Sequence, residues 1–198
     1  MKLSIGVMGS AGASSGDEDW AKLVRLGGTI AERDCTLITG ACPGLPYAAV
    51  QGARAAGGLV VGISPALSLV EHVQKYRSPT EGFDVLIYTG SGLMGREIDN
   101  IRSSDIVVIA GGRSGTLGEF AMAYDEGRLI GVLTGTGGVA DAVEALVRLC
   151  DKPTGAVVLY DDDPANLVDR LIEYYRTEHY KHPNCFCGPA RPVSAPSG

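Results

Sequence analysis

The residues best suited to chemistry lie together in residues 105–119, which read DIVVIAGGRSGTLGE. An apolar strand-like segment runs into two glycines, and Arg113, Ser114, Thr116 and Glu119 follow. Glycine lets an anion approach the backbone, and the first turn of a helix offers unpaired N–H donors and a partial positive charge. Glu119 lies further inside the predicted helix, so its carboxylate could reach a sugar ring without contacting a phosphate at the helix start.

Thr116 and Glu119 also have a purely structural interpretation. Their T-x-x-E spacing, at the start of a helix predicted for residues 116–127, is the pattern of a capping box. In a capping box each of the two side chains accepts a hydrogen bond from the backbone N–H of the other residue. The spacing by itself leaves both interpretations open.

Short apolar segments alternate with segments of helical periodicity along the chain. This alternation predicts βαβ units, and therefore an α/β, Rossmann-like fold with a predominantly parallel sheet of about seven strands and helices on both faces. We expect one nucleotide-binding domain over residues 1–180 and a Pro-, Ser- and Gly-rich tail over 181–198, with residues 66–83 irregular. The predicted strands are 2–9, 35–40, 58–65, 83–90, 105–112, 128–135 and 155–161, and the predicted helices are 17–34, 45–57, 92–104, 116–127, 139–150 and 164–180.

Four glycine-rich turns follow predicted strands and lead into helices. In a doubly wound sheet the ligand binds beyond the carboxyl ends of the strands, so these turns, with Gly9, Ser10 and Gly40 among them, are candidate phosphate- and nucleotide-binding loops. None carries the lysine of a P-loop, and GSAGAS is only half of a dinucleotide fingerprint. A mononucleotide or sugar phosphate is therefore favoured over NAD. The turns are residues 9–16, 39–46, 89–97 and 111–119.

Charge and cysteine usage narrow the class of protein. The 198 residues carry a formal net charge of -6, which disfavours binding to nucleic acid or to an anionic membrane surface. Five cysteines without a secretory leader predict reduced thiols and a cytoplasmic protein. No apolar run approaches the ~20 residues that span a bilayer.

Arg96 lies in the helix predicted for residues 92–104. Apolar residues at 93, 94, 98 and 101 have helical spacing and predict a face packed on the core. Arg96 lies off that stripe, so spacing alone predicts a solvated arginine that pairs with Asp99 or Asn100.

Two other groups of residues invite a functional interpretation. His179, His182, Cys185 and Cys187 are possible zinc ligands, but the C-x-C spacing is unlike a zinc knuckle, and an exposed tail without a metal is favoured. Cys42 lies in the second glycine-rich turn, where a small buried filler is the simpler interpretation, although a thiol near an anion site could be reactive.

The stretch from GLMGRE to DIVVIAGGRSGTLGEFAMA resembles the LOG family, Rossmann-like proteins once labelled lysine decarboxylases. The family signature is an arginine-bearing helix, a strand, and then P-G-G-x-G-T-x-x-E. The resemblance extends to GVMGSAG near the amino terminus and to TGACPGLPYAAVQGARAAGGLVVGISP, so it covers roughly residues 3–150 in order.

The resemblance implies a specific activity. Characterised members are phosphoribohydrolases, which split the N-glycosidic bond of a nucleoside 5′-monophosphate, of AMP or cytokinin-ribotide type, to free base and ribose 5-phosphate. The family's essential arginine and glutamate correspond to Arg96 and Glu119, and its phosphate loop to Gly112, Ser114, Gly115 and Thr116. It also implies a homodimer with the site near the interface, and neither a metal nor a cofactor.

A sister branch of the family supplies a non-catalytic alternative, because molybdenum-cofactor carrier proteins bind an anionic pterin phosphate.

The chain departs from the LOG pattern at four positions: Gly111 replaces the motif's proline, Arg113 its second glycine, Glu97 the usual lysine, and Gly118 a common glutamate. We hypothesise that Arg113 restores the charge lost at Glu97. Lysine decarboxylation is rejected. It would need pyridoxal phosphate, and no lysine lies in the glycine-rich turns to form the Schiff base with that cofactor.

Overall fold

The computed structural model describes residues 2–12 and 16–179, which form strands and helices in strict alternation. The strands are β1 Ser4–Gly9, β2 Thr36–Thr39, β3 Val60–Ser64, β4 Val85–Tyr88, β5 Ile106–Ala110, β6 Leu129–Leu133 and β7 Val157–Asp161. The helices are α1 Asp17–Glu32, α2 Leu45–Ala55, α3 Leu69–Gln74, α4 Gly92–Arg102, α5 Ser114–Asp125, α6 Gly138–Cys150 and α7 Pro164–Thr177.

The strands form one parallel sheet in the order β4-β3-β2-β1-β5-β6-β7. The chain winds outward from β1 to β4 and then returns to place β5 on the other side of β1. The strand order therefore reverses between β1 and β5, and this reversal is where doubly wound folds open a ligand crevice. The predicted Rossmann-like α/β fold, with helices on both faces of the sheet, is confirmed.

Two apolar clusters hold the helices on the sheet. One cluster joins the sheet to α1, α2 and α7, through residues such as Leu26, Ala49 and Leu171. The other joins it to α5 and α6, through residues such as Phe120 and Val143. Because both faces of the sheet are covered, β5 and β6 are buried along their whole length, which explains their continuous apolar runs.

Helices α1 and α2 approach each other so closely that their backbones touch. A Cβ added at Gly27 would overlap the Ala49 carbonyl oxygen, and one at Gly52 would overlap the carbonyl oxygen of Val24. Glycine is required at both positions because no side chain fits between the two helices.

We expect Gly27→Ala to lower the free energy of unfolding by about 2 kcal/mol, since the added methyl group forces the helices apart. Gly28→Ala is the matched control, because its nearest neighbour would lie 3.7 Å from the added Cβ. That control should be neutral or slightly stabilising, as alanine favours helix. Urea unfolding of both variants measures the difference, and equal effects would contradict this account of the packing.

The expectation that residues 66–83 are irregular is wrong, because they contain α3. Ser68 caps α3 by accepting a hydrogen bond from the Glu71 N–H, and Glu71 accepts one from the Leu67 N–H. The fully buried His72 then ties α3 inward through Ser64 Oγ at 2.8 Å and the Pro79 carbonyl at 3.0 Å. The S-x-x-E spacing of Ser68 and Glu71 was the available sequence signal.

The predictions about membrane spans, thiols and the carboxyl-terminal tail can be compared with the structure only over the described residues. Within the described ranges, no helix is long and apolar enough to cross a membrane. Cys35, Cys42 and Cys150 are free thiols there. The predicted tail and the possible zinc ligands His182, Cys185 and Cys187 lie outside the described residues.

Candidate functional site

A cavity of about 360 Å³ opens at the carboxyl end of the sheet, beside the point where the strand order reverses. Its walls come from the loops after β1, β2 and β5 and from one side of α4. It is lined by Val7, Met8, Gly9, Ser10, Ala11, Gly40, Cys42, Pro46, Leu93, Arg96, Glu97, Arg113, Ser114, Gly115, Thr116 and Glu119.

The turn between β5 and α5 shapes the floor of this cavity. Gly111 and Gly112 have φ of 59° and 101°, and a Cβ at Gly112 would also overlap the Thr116 side chain. The carbonyls of both glycines accept hydrogen bonds from the start of α6, at Ala140 N and Val139 N. The turn is thereby fixed with the N-terminus of α5 directed into the cavity.

The capping-box interpretation of Thr116 and Glu119 is wrong. Helix α5 begins at Ser114, two residues before the predicted start, with Arg113 as the N-cap residue and no side-chain cap. Thr116 and Glu119 therefore both lie inside the helix. The first-turn N–H groups of α5 are left without a capping side chain, so they are available to an anion in the cavity.

Arg96 and Glu119 meet inside the cavity from two different helices. Arg96 on α4 is 6% exposed, Glu119 on α5 is 6% exposed, and Arg96 Nη1 lies 3.5 Å from Glu119 Oε1. A Cβ at Gly40 would overlap the Arg96 guanidinium, so the glycine of the second turn makes room for it. The prediction of a solvated Arg96 paired with Asp99 or Asn100 is wrong.

The contact between Arg96 and Glu119 is long, and it does not satisfy the arginine. Arg96 Nε is buried and, within the described residues, has no hydrogen-bond partner. An unsatisfied buried donor costs free energy unless a ligand engages it. The guanidinium thus retains hydrogen-bonding capacity for a molecule in the cavity.

Burial raises the pKa of Glu119 to about 7. The Arg96 cation opposes this increase, and the nearby Glu97 carboxylate adds to it. A carboxyl group whose pKa lies near neutrality can both accept and donate a proton at neutral pH. Glu119 is therefore suited to acid–base chemistry rather than only to structural pairing.

Glu97 and Arg113 place two further charges on the cavity wall. Glu97 lies against the first turns of α5, its carboxylate oxygens 3.4 Å and 3.5 Å from where a Cβ would stand on Gly115 and Gly118. Arg113 reaches across to the first glycine-rich loop, with Nη2 3.0 Å from the corresponding point on Gly12. Burial raises the pKa of Glu97, and the Arg96 cation opposes that increase.

Helix α4 does not pack its apolar stripe on the core, and the prediction that it would is wrong for most of the stripe. Leu93, Met94 and Ile98 are exposed, with Met94 81% exposed, and only Ile101 is buried. The helix instead turns Arg96 and Asn100 inward. An exposed apolar stripe beside a cavity is typical of an interface.

The structure brings nearly all the predicted site residues to one cavity. Gly9, Ser10 and Gly40 line it, as do Arg113, Ser114, Gly115 and Thr116 together with Arg96 and Glu119. Gly112 forms the turn behind the wall. The third predicted turn contributes only through α4, where Leu93 lines the cavity instead of packing on the core. Val7 and Met8 at the end of β1 are lining residues that the glycine-rich turns did not indicate.

Cys42 also lines the cavity. Burial raises its pKa to about 11, so its thiol is protonated at neutral pH. A protonated thiol is a poor nucleophile, and this favours the interpretation of Cys42 as a small filler over that of a reactive group.

Residues 2–168 match the SLOG cluster4 family. The chain belongs to the SLOG cluster4 family. This agrees with the resemblance to the LOG family drawn from the glycine-rich motifs. An uncharacterised protein from Archaeoglobus fulgidus is 36% identical over 135 residues, which cover 67% of this chain and 82% of that protein.

Two solved structures extend the comparison. The molybdenum cofactor binding protein from the phototrophic bacterium Rippkaea orientalis is 30% identical with a TM-score of 0.73, over 89% of this chain and 99% of that one. The molybdenum cofactor carrier protein from Chlamydomonas reinhardtii is 28% identical with a TM-score of 0.70, over 87% and 99%. This SLOG chain therefore shares its fold across nearly its whole length with proteins named for cofactor binding.

Proposed function

We propose that this SLOG protein is a phosphoribohydrolase, which cleaves the N-glycosidic bond of a nucleoside 5′-monophosphate to free base and ribose 5-phosphate. One observation carries the proposal: a buried carboxyl group with a pKa near 7, Glu119, lies beside an unsatisfied arginine and one turn inside an uncapped helix. A phosphate at the helix start would leave the sugar within reach of this carboxyl group.

The proposed reaction needs each of these groups. As the base leaves C1′, the sugar acquires positive charge, and the Glu119 carboxylate stabilises that charge. A water molecule adds to C1′ and gives its proton to Glu119, while the departing base nitrogen takes a proton from solvent water as the C1′–N bond breaks. Glu119 then returns its proton to solvent and is ready for the next turnover. Arg96 and the first-turn N–H groups of Ser114, Gly115 and Thr116 hold the phosphorylated sugar in place for this step.

The experiment is incubation of the protein with nucleoside monophosphates, AMP included, and detection of free base by chromatography. If the protein is a hydrolase, each chain should release more than one molecule of free base. If every nucleotide binds but none releases base, the hydrolase proposal fails.

A second function is favoured by the solved relatives and by the charges at Glu97 and Arg113. The Rippkaea and Chlamydomonas proteins are named for molybdenum cofactor binding and carriage, and a carrier would use the same anion site without turnover. The carrier hypothesis predicts a ligand that copurifies at a fixed ratio to the protein and is recovered unchanged, as mass spectrometry would show.

The homodimer remains part of the proposal. Leu93, Met94 and Ile98 on α4 and Leu117 on α5 are exposed apolar residues on helices that pack against each other beside the cavity. A second copy of the chain seated on this face would bury them and close the outer wall of the cavity.

Met94→Glu is expected to convert the dimer into a monomer, because a buried charge at the centre of an apolar contact is costly. Leu149→Glu is the matched control, since Leu149 on α6 is equally exposed at 81% but lies away from this face. Light scattering after size-exclusion chromatography measures the mass. A monomeric wild-type protein, or dissociation caused by Leu149→Glu, would contradict the proposed interface.

A further inference from the structure

The turn between β6 and α6, residues 134–137, packs against the turn between β5 and α5, residues 111–113. The side chain of Thr136 joins the two turns. Thr136 is 5% exposed, and its Oγ1 accepts a hydrogen bond from the Gly111 N–H at 2.8 Å and donates one to the Leu133 carbonyl at 2.6 Å. This one hydroxyl group therefore ties Gly111 to the end of β6.

The first residues of α6 hold the same β5–α5 turn by its carbonyl groups. The N–H groups of Val139 and Ala140 donate hydrogen bonds to the carbonyls of Gly112 and Gly111, at 3.1 Å and 3.0 Å. A Cβ at Gly138 would overlap the Gly112 carbonyl oxygen, so α6 begins in direct contact with the turn. Both carbonyl oxygens, which would repel a phosphate, are thereby bound by α6.

The N–H groups of the β5–α5 turn remain for a ligand. A trans peptide group points its N–H opposite to its C=O, so the N–H groups of Gly112 and Arg113 are directed away from α6. Within the described residues neither N–H has an acceptor, and both precede the uncapped first turn of α5. Successive N–H groups in a turn form a concave site for an anion. The position of a phosphate relative to Glu119 therefore depends on the position of this turn.

We infer that Thr136 is a positioning residue of the proposed reaction, which fixes the β5–α5 turn so that a phosphate bound there leaves the sugar at Glu119. Thr136 is not among the described residues that line the cavity, so it acts on the ligand only through the turn. Without the hydroxyl group, the buried Gly111 N–H loses its acceptor, and the turn shifts to find another. A displacement of about 1 Å at a reacting group can cost about 100-fold in rate.

This inference rests on the proposed phosphate-binding site and adds to it a residue outside the cavity. Thr136→Val removes the hydroxyl group and preserves the shape of the side chain, whereas Thr136→Ser preserves the hydroxyl group. The probe is ribose 5-phosphate, whose dissociation constant is measured by isothermal titration calorimetry. Urea unfolding gives the stability of each variant.

Thr154→Val is the matched control. Thr154 is 2% exposed, and its Oγ1 also accepts a hydrogen bond from a backbone N–H, that of Ala156 at 3.1 Å. It precedes β7, however, and so lies at the amino end of the sheet, opposite the cavity. The two valine variants therefore remove the same kind of buried hydrogen bond, near the proposed site in one case and far from it in the other.

Thr136→Val should weaken ribose 5-phosphate binding by about tenfold or more, because at least one charge-assisted hydrogen bond from the turn to the phosphate is lost or lengthened. Thr136→Ser should bind nearly as tightly as the wild-type protein, since serine offers the same donor and acceptor. Thr154→Val should lose stability and keep its affinity. A loss of affinity confined to Thr136→Val thus reports the position of the turn rather than the stability of the fold.

A second pair of variants tests the same turn from α6. Gly137 and Gly138 both have positive φ angles, 74° and 59°, so alanine is strained at either position. Only Gly138 contacts the β5–α5 turn, because a Cβ at Gly137 would meet no described atom within 4 Å. Gly138→Ala should therefore weaken ribose 5-phosphate binding, and Gly137→Ala should lower stability without that loss.

Unchanged affinity in Thr136→Val, or an equal loss in Thr136→Val and Thr154→Val, would overturn the inference. Failure of Thr136→Ser to restore binding would overturn it as well. If the wild-type protein binds ribose 5-phosphate but releases no base from any nucleotide, the hydrolase proposal fails separately, and the binding data still decide the role of Thr136. A wild-type protein that does not bind ribose 5-phosphate would contradict both the phosphate site and the inference.

Discussion

Glu119→Gln is expected to lower kcat for base release by at least about 100-fold while leaving the fold intact. Glutamine keeps the size of the side chain but cannot accept a proton from water or carry the negative charge that stabilises the sugar cation. Loss of a single acid–base or electrostatic group of this kind typically costs 10²–10⁴-fold, so a factor of about 100 is the low end. Chromatographic assay of free base measures the effect, with the exposed Glu81→Gln as a control that should retain turnover.

The same substitution should raise stability at alkaline pH. The pKa of Glu119 increases from 4.5 to about 7 on folding, so the buried carboxyl group resists ionisation. Its contribution to stability is complete below pH 4.5 and is lost as the pH rises through about 7, a difference of about 3 kcal/mol. Glutamine never ionises, so Glu119→Gln should unfold at higher urea concentration than wild type at pH 8 and at a similar one at pH 4. Retained turnover or lower stability at pH 8 would contradict the assigned role.

Arg96→Met is expected to shift the pH dependence of turnover to higher pH and to weaken substrate binding. In the wild-type protein, kcat/KM should rise with pH to a plateau above about 7, because the reaction needs ionised Glu119. The Arg96 cation lowers the pKa of Glu119, and its removal raises that pKa further. Loss of a charge-assisted contact to the phosphorylated sugar should also raise KM by about tenfold or more.

Arg96→Lys separates these two effects. Lysine preserves the positive charge beside Glu119, so the midpoint of the pH profile should stay near that of wild type, while the loss of the planar guanidinium still raises KM. A pH profile that is unchanged in Arg96→Met would show that Arg96 does not control the ionisation of Glu119.

The strands and the position of the cavity were predictable because they follow from short-range patterns. Apolar runs such as residues 106–110 are long enough to cross a sheet buried on both faces, and the glycines after them mark the turns. Once parallel pairing is inferred, the turns that follow the strands must share one edge. Gly9, Gly40 and the turn after Ala110 could therefore be grouped without any knowledge of side-chain contacts.

The environment of Arg96 could not be predicted from spacing. The apolar stripe of α4 has the period of a core-facing helix, yet Leu93, Met94 and Ile98 are exposed and Arg96 is buried. Periodicity reports that one side of a helix is apolar, but the surface that covers that side can belong to another molecule. The role of Arg96 was indicated only by the resemblance to the LOG family, because the family's essential arginine corresponds to this residue.

The misplaced start of α5 has a local cause. T-x-x-E is a capping pattern, but a helix begins where the preceding turn permits it, and the positive φ angles of Gly111 and Gly112 allow it to begin at Ser114.

The pairing of Arg96 with Glu119 depends on the crossing of two helices from separate βα units. Such a contact is long-range and leaves no mark on local spacing.

The hydrolase function is tested by a multiple-turnover assay that measures free base and ribose 5-phosphate together. Wild-type protein is incubated with an excess of GMP or AMP, and both products are quantified by chromatography. Hydrolysis should give base and ribose 5-phosphate in a one-to-one ratio, each in excess over the number of protein chains, and Glu119→Gln should form neither product. Nucleotide that binds at the cavity and is recovered intact would contradict the hydrolase claim and leave the carrier function.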